Sequence, residues 1–349
     1  MIDPRDLAHC EAAIRHGSWS FHAASRLLPA SLRDPALALY AFCRLADDAV
    51  DLQPEKAEAV LRLQERLDLV YAGRPRNAPA DRAFAALVAD HDMPRALPEA
   101  LLEGLAWDAM GHRPATLSDL RAYSARVASA VGAMMCVLMG VRDRDALARA
   151  CDLGVAMQLT NVARDVGEDA REGRLYLPAD WMEGAGLAPE AFLEAPHPSP
   201  VISDLVRRLL AEADRLYIRS EAGIGALPMA CRPGIFAARY IYAGIGTRLR
   251  RTGCDPVAAR ARTGRVQKLG WLALSGLRAG ATAALPTSPV IFARPLPETA
   301  FLVEAAADAA APAQGWSETL CATMAQLKTR DADRSAALQA GGARVKAVA

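Results

Sequence analysis

The stretch Asp34–Pro54, DPALALYAFCRLADDAVDLQP, constrains the fold more than any other part of the chain. Asp34 is placed to cap a helix, and Pro35 stands at the first helical position, where its missing N–H costs nothing. Pro54 disfavours helical geometry at Gln53 and closes the segment. At about 100° per residue, Tyr40, Arg44, Asp47 and Asp51 fall within a stripe roughly 60° wide. Nearly everything else is apolar, including Leu37, Leu39, Phe42, Val50 and Leu52. A surface helix has a broad solvated face and a narrower apolar stripe. Here the proportions are reversed. The pattern predicts a helix over 35–53 surrounded by protein, its acidic stripe turned into an internal wet cavity.

The rest of the chain repeats the helical period. Alternating β-branched runs are absent, and periodic segments follow one another at 5–16, 20–28, 35–53, 55–72, 80–90, 98–110, 117–139, 143–168, 201–222, 233–252 and 256–278. Turn chemistry separates them at Gly73–Pro75, Asp92–Pro94, Arg113–Pro114, Gly184–Pro189 and Pro196–Pro200. The reading is one all-α domain over 1–280. Residues 281–349 form a Pro/Ala-rich extension, partly helical or disordered, with a short helix expected after Ser317.

Composition excludes several functions. The net charge of +1, from 41 basic and 40 acidic residues, provides no field for nucleic acid. The seven cysteines are scattered without any Cys-x-x-Cys, which argues for a reducing compartment and against a zinc site. No signal core opens the chain. The longest uncharged run, Val127–Val141, has 15 residues, short of the roughly 20 that span a bilayer. The expectation is a cytoplasmic protein, with peripheral attachment to the inner face of the membrane as an added reading.

A second stripe matches the first. In CDLGVAMQLTNVARDVGEDAREGRLYLP, residues 151–178, Gln158, Asn161, Asp165 and Asp169 lie within about 80° of arc. Asp47 with Asp51, and Asp165 with Asp169, are i,i+4 carboxylate pairs, which repel on an isolated helix. A divalent cation compensates such pairs, and carboxylate, amide and water oxygens suit Mg²⁺, which binds through one or two carboxylates plus substrate phosphates. A single pair of this kind is as a rule a solvated face, with Arg44 paired to Asp48 at i,i+4. Two stripes of matching geometry favour function. Arg44, Arg164, Arg171 and Arg174 stand beside the aspartates, as an anion bound after the metals requires, and an arginine fork reads diphosphate bidentately. Metals and arginines inside an apolar helical cavity suit departure of diphosphate from an allylic carbon, with the carbocation kept from water.

These residues resemble the squalene/phytoene synthase family, the head-to-head prenyl synthases. The first motif reads Tyr40-Ala-Phe-Cys-Arg44-Leu-Ala-Asp47-Asp48-Ala-Val-Asp51, and the second Gln158-Leu-Thr-Asn161-Val-Ala-Arg164-Asp165-Val-Gly-Glu168-Asp169. Gly173-Arg174-Leu-Tyr176-Leu-Pro178 follows it, Tyr123 to Gly132 lies between the two, and Gly17-Ser18-Trp19-Ser20-Phe21 is similar to the family's phosphate-contacting turn. The resemblance covers about 5–270. It implies an isoprenoid synthase helical bundle around a central cavity, with Mg²⁺ (Mn²⁺ as the alternative ion) on Asp47, Asp51, Asn161, Asp165 and Asp169. Ser18, Ser20, Arg44, Gln158, Arg164, Arg174 and Arg262 are implied as the diphosphate site. Tyr123 is implied to face the reacting carbons, with Tyr40, Arg44 and Tyr242 beside it.

The implied reaction joins two geranylgeranyl diphosphates head to head into a 40-carbon carotenoid precursor without NADPH. Its rivals are squalene-type or dehydrosqualene-type condensation of farnesyl diphosphate, and an inactive family member acting as a scaffold. The small residues from Val127 to Met135 read equally as a lipid tunnel or as helix packing. The basic cluster Arg248, Arg250, Arg251, Arg260, Arg262, Arg265 and Lys268 reads mostly as a solvated helix end and loop, with attraction to anionic headgroups as the weaker reading. Oligomeric state has no signature in the sequence.

Overall fold

The computed structural model describes residues 2–51, 56–262, 264–284 and 288–308, leaving aside the side chains of Trp19, Ser20, Asp51 and Arg265. Among the described residues there is no strand, as the all-α reading expects. The expected helix after Ser317 lies outside them. Helix α1 (Pro4–Gly17) is capped by the Asp3 carboxylate, which accepts from the Arg5 N–H, and α2 (Trp19–Ser25) by the Ser18 hydroxyl. Then come α3 (Ala30–Asp51), α4 (Lys56–Tyr71), α5 (Pro79–His91) and α6 (Ala96–Ala109).

Two expectations about α3 fail. The helix starts at Ala30, a turn before Asp34, because the N–H groups of Leu32 and Arg33 both donate to the Pro29 carbonyl, at 2.9 and 2.8 Å. Pro35 therefore sits inside the helix, where its ring removes one intrahelical bond. Nor is α3 enclosed by protein. The side chains of Arg44, Asp47 and Asp48 are 44%, 47% and 40% exposed, so its polar stripe borders an opening. The enclosed helix is α6, in which every residue from Ala96 to Ala106 is buried.

The segment 117–139, read as one helix, is three pieces: α7 (Leu117–Ser124), a π-helical turn (Ala125–Ser129) and α8 (Ala130–Leu138). Glycines on both flanks admit the wide turn. A Cβ on Gly104 of α6 would meet Val127 Cγ1 at 2.7 Å, and one on Gly154 would meet Ser129 Cα at 2.6 Å. Gly154 belongs to α9 (Arg144–Arg171), the long helix at the centre of the bundle, capped by Asp143. Ser129 Oγ donates to the Cys151 carbonyl at 2.7 Å and locks the turn to α9.

Short helices α10 (Ala179–Gly184) and α11 (Pro189–Glu194) stand in a stretch where no helix was expected. The amphipathic α12 (Pro200–Ile224) packs along α9, and α13 (Arg232–Arg251) closes the wall. Helix α14 (Arg265–Ala284) begins nine residues later than the expected 256, because Pro256 and Val257 pack as loop against Gly167 of α9. Residues 288–308, ending in α15 (Ala300–Ala307), fold back over α9, α8 and α6. There the Arg142 guanidinium donates to the Ala306 carbonyl at 2.9 Å and to His91 and Asp92 across the seam.

Candidate active site

A cavity of about 360 Å³ runs between α2, α3, α8, α9, α12 and α13. Its lining is largely apolar, from Ile14, Leu39, Val131 and Met135 to Leu153 and Ile224, and Gln158, Asn161, Tyr40 and Tyr242 supply polar atoms at one end. The helical period makes this arrangement. On α9 the same face that carries Ala146, Ala150 and Leu153 continues through Gln158 and Asn161 into Asp165 and Asp169. One stripe of one helix is thus greasy at its N-terminal half and acidic at its C-terminal half.

Three aromatic rings bridge the two acidic helices. Phe21 lies 6.3 Å from Tyr40 and 5.4 Å from Tyr242, centroid to centroid. Burial pushes the Tyr242 hydroxyl up to about 12, against the pull of the nearby Arg164 cation and with Tyr40 and Asp165 adding to the rise. The Tyr40 hydroxyl packs on Gly17, where a Cβ would stand 2.3 Å from its oxygen. Its proton is held more tightly than an ordinary phenol's, through burial first, and Arg44 and Asp47 also act on it. Tyr40 and Tyr242 therefore join the surroundings of Asp47 to those of Asp165.

The two ridges differ in exposure. On α3, Arg44 donates to Asp47 at 3.2 Å and pairs with Asp48 at 2.5 Å, and all three are half exposed. The Arg44–Asp48 pair expected for a solvated face thus forms. On α9, Arg164, Asp165 and Asp169 are only 19%, 15% and 17% exposed. Arg164 grips both oxygens of Asp165, its Nε donating to Oδ1 at 2.8 Å. Burial, then the neighbouring Asp165 charge, pushes the Asp169 carboxyl up to about 7, with Arg174 Nε 3.9 Å away pulling against both. Asn161 Nδ2 donates to Gln158 at 3.4 Å, while its buried Oδ1 accepts no hydrogen bond. Among the described residues, no three His, Cys, Asp or Glu side chains converge closely enough to hold a metal by themselves. The Asp51 and Ser20 side chains, both among the expected ligands, lie outside the described set.

Other expected residues stand elsewhere. Tyr123 is buried and donates to Asp108 Oδ2 at 2.7 Å, stacked at 5.1 Å on Tyr176, whose hydroxyl donates to Asp108 Oδ1 at 2.6 Å. Burial and the Asp108 charge raise the Tyr123 hydroxyl well above its ordinary value. It does not line the cavity that Tyr40 and Tyr242 line. Ser18 Oγ accepts from the Phe21 N–H at 3.3 Å. Arg171 turns to the Val257 carbonyl at 2.7 Å. Arg262 is exposed in the loop before α14, and it is Arg260 that reaches the acidic ridge, 2.8 Å from Asp165 and 3.1 Å from Glu168.

Arg260, Asp108 and Phe21 are the residues sequence reasoning passed over or gave another role. Arg260 sat in a basic cluster that reads as solvated. Asp108 belongs to no motif in the sequence. Phe21 was visible only as part of a phosphate-contacting turn.

Known proteins agree with this geometry. The Squalene/phytoene synthase family description matches residues 14–271. A phytoene synthase of Cereibacter sphaeroides is 61% identical, over 95% of this chain and 96% of its own. One of Rhodobacter capsulatus is 58% identical, over 95% and 98%. A crystal structure of a dehydrosqualene synthase in complex with ligand superposes with a TM-score of 0.73 at 29% identity, covering 79% of this chain and 97% of that one. The chain belongs to the squalene/phytoene synthase family. Within that family its function is that of a phytoene synthase, a prenyltransferase-type enzyme.

Proposed function

We propose that the cavity takes two geranylgeranyl diphosphates and joins them head to head, releasing two diphosphates. One substrate ionises at C1. The allylic cation is captured by the double bond of the second, and loss of a proton gives the cyclopropylcarbinyl diphosphate, prephytoene diphosphate. That intermediate ionises in turn, rearranges and loses a second proton to give phytoene, a 40-carbon chain with a conjugated triene at its core. The single observation that carries the reading is the stripe of α9, which passes from an apolar tunnel into a partly buried ridge of carboxylates, amides and arginines.

Each residue has a role that its surroundings support. Arg164, Arg174 and Arg260 at the α9 ridge, and Arg44 on α3, offer guanidinium groups to a diphosphate, and Ser18 follows Gly17, which packs beside Tyr40 and Arg44. Phe21, Tyr40 and Tyr242 present aromatic faces at the junction of the polar and apolar ends, where an allylic cation is stabilised by ring quadrupoles. The Tyr40 and Tyr242 hydroxyls stay protonated at neutral pH because burial holds the protons on. The apolar lining excludes water from the cation. Tyr123 acts through its shared acceptor Asp108, as a positioning residue behind the site.

The donor chemistry fits Mg²⁺. The buried Asn161 Oδ1 accepts no hydrogen bond, and Asp165 with Asp169 are two carboxylates whose mutual repulsion a cation relieves. All are oxygen donors, and one or two carboxylates per ion suffice when substrate phosphates complete the shell. Asp47, Asp51, Asn161, Asp165 and Asp169 would hold the ions, with Mn²⁺ able to substitute. When bound, the ions neutralise charge on the departing diphosphate. No NADPH enters this reaction.

Incubating the purified protein with Mg²⁺ and geranylgeranyl diphosphate, then extracting hydrocarbon, tests the reading. Phytoene is expected, with turnover lost on chelation and restored by Mg²⁺. Asp47→Ala and Asp165→Ala should abolish diphosphate release while helicity is kept. Squalene or dehydrosqualene from farnesyl diphosphate in its place would move the assignment to the shorter substrate.

A peripheral contact with anionic lipid, on a cytoplasmic enzyme, is the reading of localisation we favour. No helix among the described residues is long and apolar enough to cross a membrane. Helix α14 carries no acidic residue and turns Val266, Leu269 and Leu277 outward, at 83%, 63% and 74% exposure, next to the basic loop. Such a face binds lipid through apolar area and cationic flanks together. Liposome sedimentation insensitive to salt would remove the electrostatic part.

A further inference from the structure

At the end of the cavity farthest from the acidic ridge, a lining residue is tied to chain that lies beyond the family match. Along α9 the lining passes from Asn161 to Ala146, a helical distance of about 22 Å. At that end stands Arg149, which lines the cavity and is only 1% exposed. A guanidinium this deep is costly unless paired and hydrogen-bonded. Its Nε lies 2.8 Å from Asp152, a carboxylate that Arg219 also holds at 3.0 Å. Two cations thus share one buried anion, and Nη1 of Arg149 and Nη2 of Arg219 turn to backbone carbonyls of the strap at 289–294, while the buried Arg149 Nη2 donates no hydrogen bond. Arg149 Nη1 donates to Val290 at 2.8 Å, Ile291 at 3.3 Å and Ala293 at 2.9 Å, and Arg219 Nη2 donates to Arg294 at 2.8 Å.

The stem of Arg149 fills the seam between α9 and α12. A Cβ on Gly223 of α12 would meet Arg149 Cβ at 2.3 Å and Cγ at 2.9 Å, so the glycine lets the stem lie flat across the seam. The strap ties the head group, and Arg149 and Gly223 both line the cavity.

We infer that Arg149, held by the strap at 289–294, is the end wall of the prenyl tunnel and sets how long a chain the enzyme admits. The inference takes from the phytoene synthase reading the identity of the ligand as a prenyl chain. The role is one of positioning and specificity, since the wall touches the far end of the chain and not the reacting carbons. It also gives residues 288–294 a function in an enzyme whose family description ends at 271.

The test is the affinity of the full-length protein for farnesyl, geranylgeranyl and geranylfarnesyl thiodiphosphates, which bind without ionising readily. Arg149→Ala removes the wall, and preference should shift toward geranylfarnesyl by roughly tenfold or more, the scale of methylene-sized changes in an apolar pocket. Ala150→Leu, one residue inside the wall, should shift it by a similar factor toward farnesyl. Folded variants, judged by circular dichroism and cooperative melting, that keep the wild-type ratios overturn the inference. Should Arg149→Ala not fold, Arg219→Ala takes its place. That residue is 29% exposed and loosens the same strap, so a shift toward the longer chain supports the wall and unchanged ratios refute it. Binding is read apart from turnover. A wild-type protein that grades these ligands and shifts as described, yet makes no phytoene, would refute the reaction and leave the wall standing.

Discussion

Arg260 Nε donates to Asp165 Oδ1 at 2.8 Å across 95 residues of chain. The contact lays the loop before α14 over the acidic ridge of α9, with a second ion pair from Arg260 to Glu168. Arg260 is 42% exposed, so the pair adds little to stability, within about 1 kcal/mol. Its effect belongs to the substrate complex. Arg260→Ala should raise KM for the prenyl diphosphate roughly tenfold, as loss of one charge-assisted hydrogen bond does. Steady-state kinetics check this, and Arg260→Lys should recover part of the loss.

Tyr123 and Tyr176 share the two oxygens of Asp108. Removing either hydroxyl deprives a carboxylate in a partly buried site of one bond to a charged acceptor, worth about 1.5–3 kcal/mol. Tyr123→Phe and Tyr176→Phe should each destabilise by about that amount in urea unfolding. The double variant should fall short of the sum, because the two bonds form one network. If Tyr123 works through Asp108, both single variants should lower kcat by similar factors. A loss confined to Tyr123→Phe would place its hydroxyl in direct contact with substrate.

Gly154 is where α9 crosses the π-helical turn. Gly154→Ala would put a methyl 2.6 Å from Ser129 Cα and 2.7 Å from its N, and backbone cannot yield as a flexible side chain does. Overpacking of this kind costs about 1–3 kcal/mol. Chemical denaturation measures it, and turnover should fall too, since Gly154 lines the cavity.

His112 gives the stability a pH dependence of known sign. Burial holds its pKa below the ordinary value, and Asp119 only partly opposes this. The folded state therefore binds fewer protons than the unfolded one in the window below about pH 6.5. The His112 contribution to stability should fall as pH drops from there toward the folded pKa, and be constant above. His112→Gln should remove that component. The difference in unfolding free energy between the two proteins, followed from pH 8 downward, should be flat at first and then favour the variant.

Much of this molecule is legible along the chain. The period of α9 and α3 places Gln158, Asn161, Asp165 and Asp169 on one face and Tyr40, Arg44 and Asp47 on another, because the geometry of a helix is settled within a turn or two by local bonds. The same regularity predicts an all-helical domain, and the matched acidic motifs carry its family resemblance. Even helix ends are local only up to a point: Pro29 started α3 earlier than Asp34 suggested, since both offer a plausible first turn.

Partnership is another matter. Nothing in a run of arginines says that Arg260 meets Asp165 while Arg262 stays in solvent, or that Arg149 is buried under a strap 140 residues later. Nor does the chain announce that Tyr123 and Tyr176 divide one carboxylate, or that Phe21 stands between Tyr40 and Tyr242. The charges concerned are alike and their pair energies similar, so the choice falls to close packing. Gly167 admits Pro256 and Val257, Gly223 admits the Arg149 stem, and Gly154 admits the π turn. Sequence by itself determined the helices and the chemistry each one carries. Tertiary structure alone decided which of those groups meet, because contact between distant residues depends on backbone clearances of a few tenths of an ångström that no local pattern records.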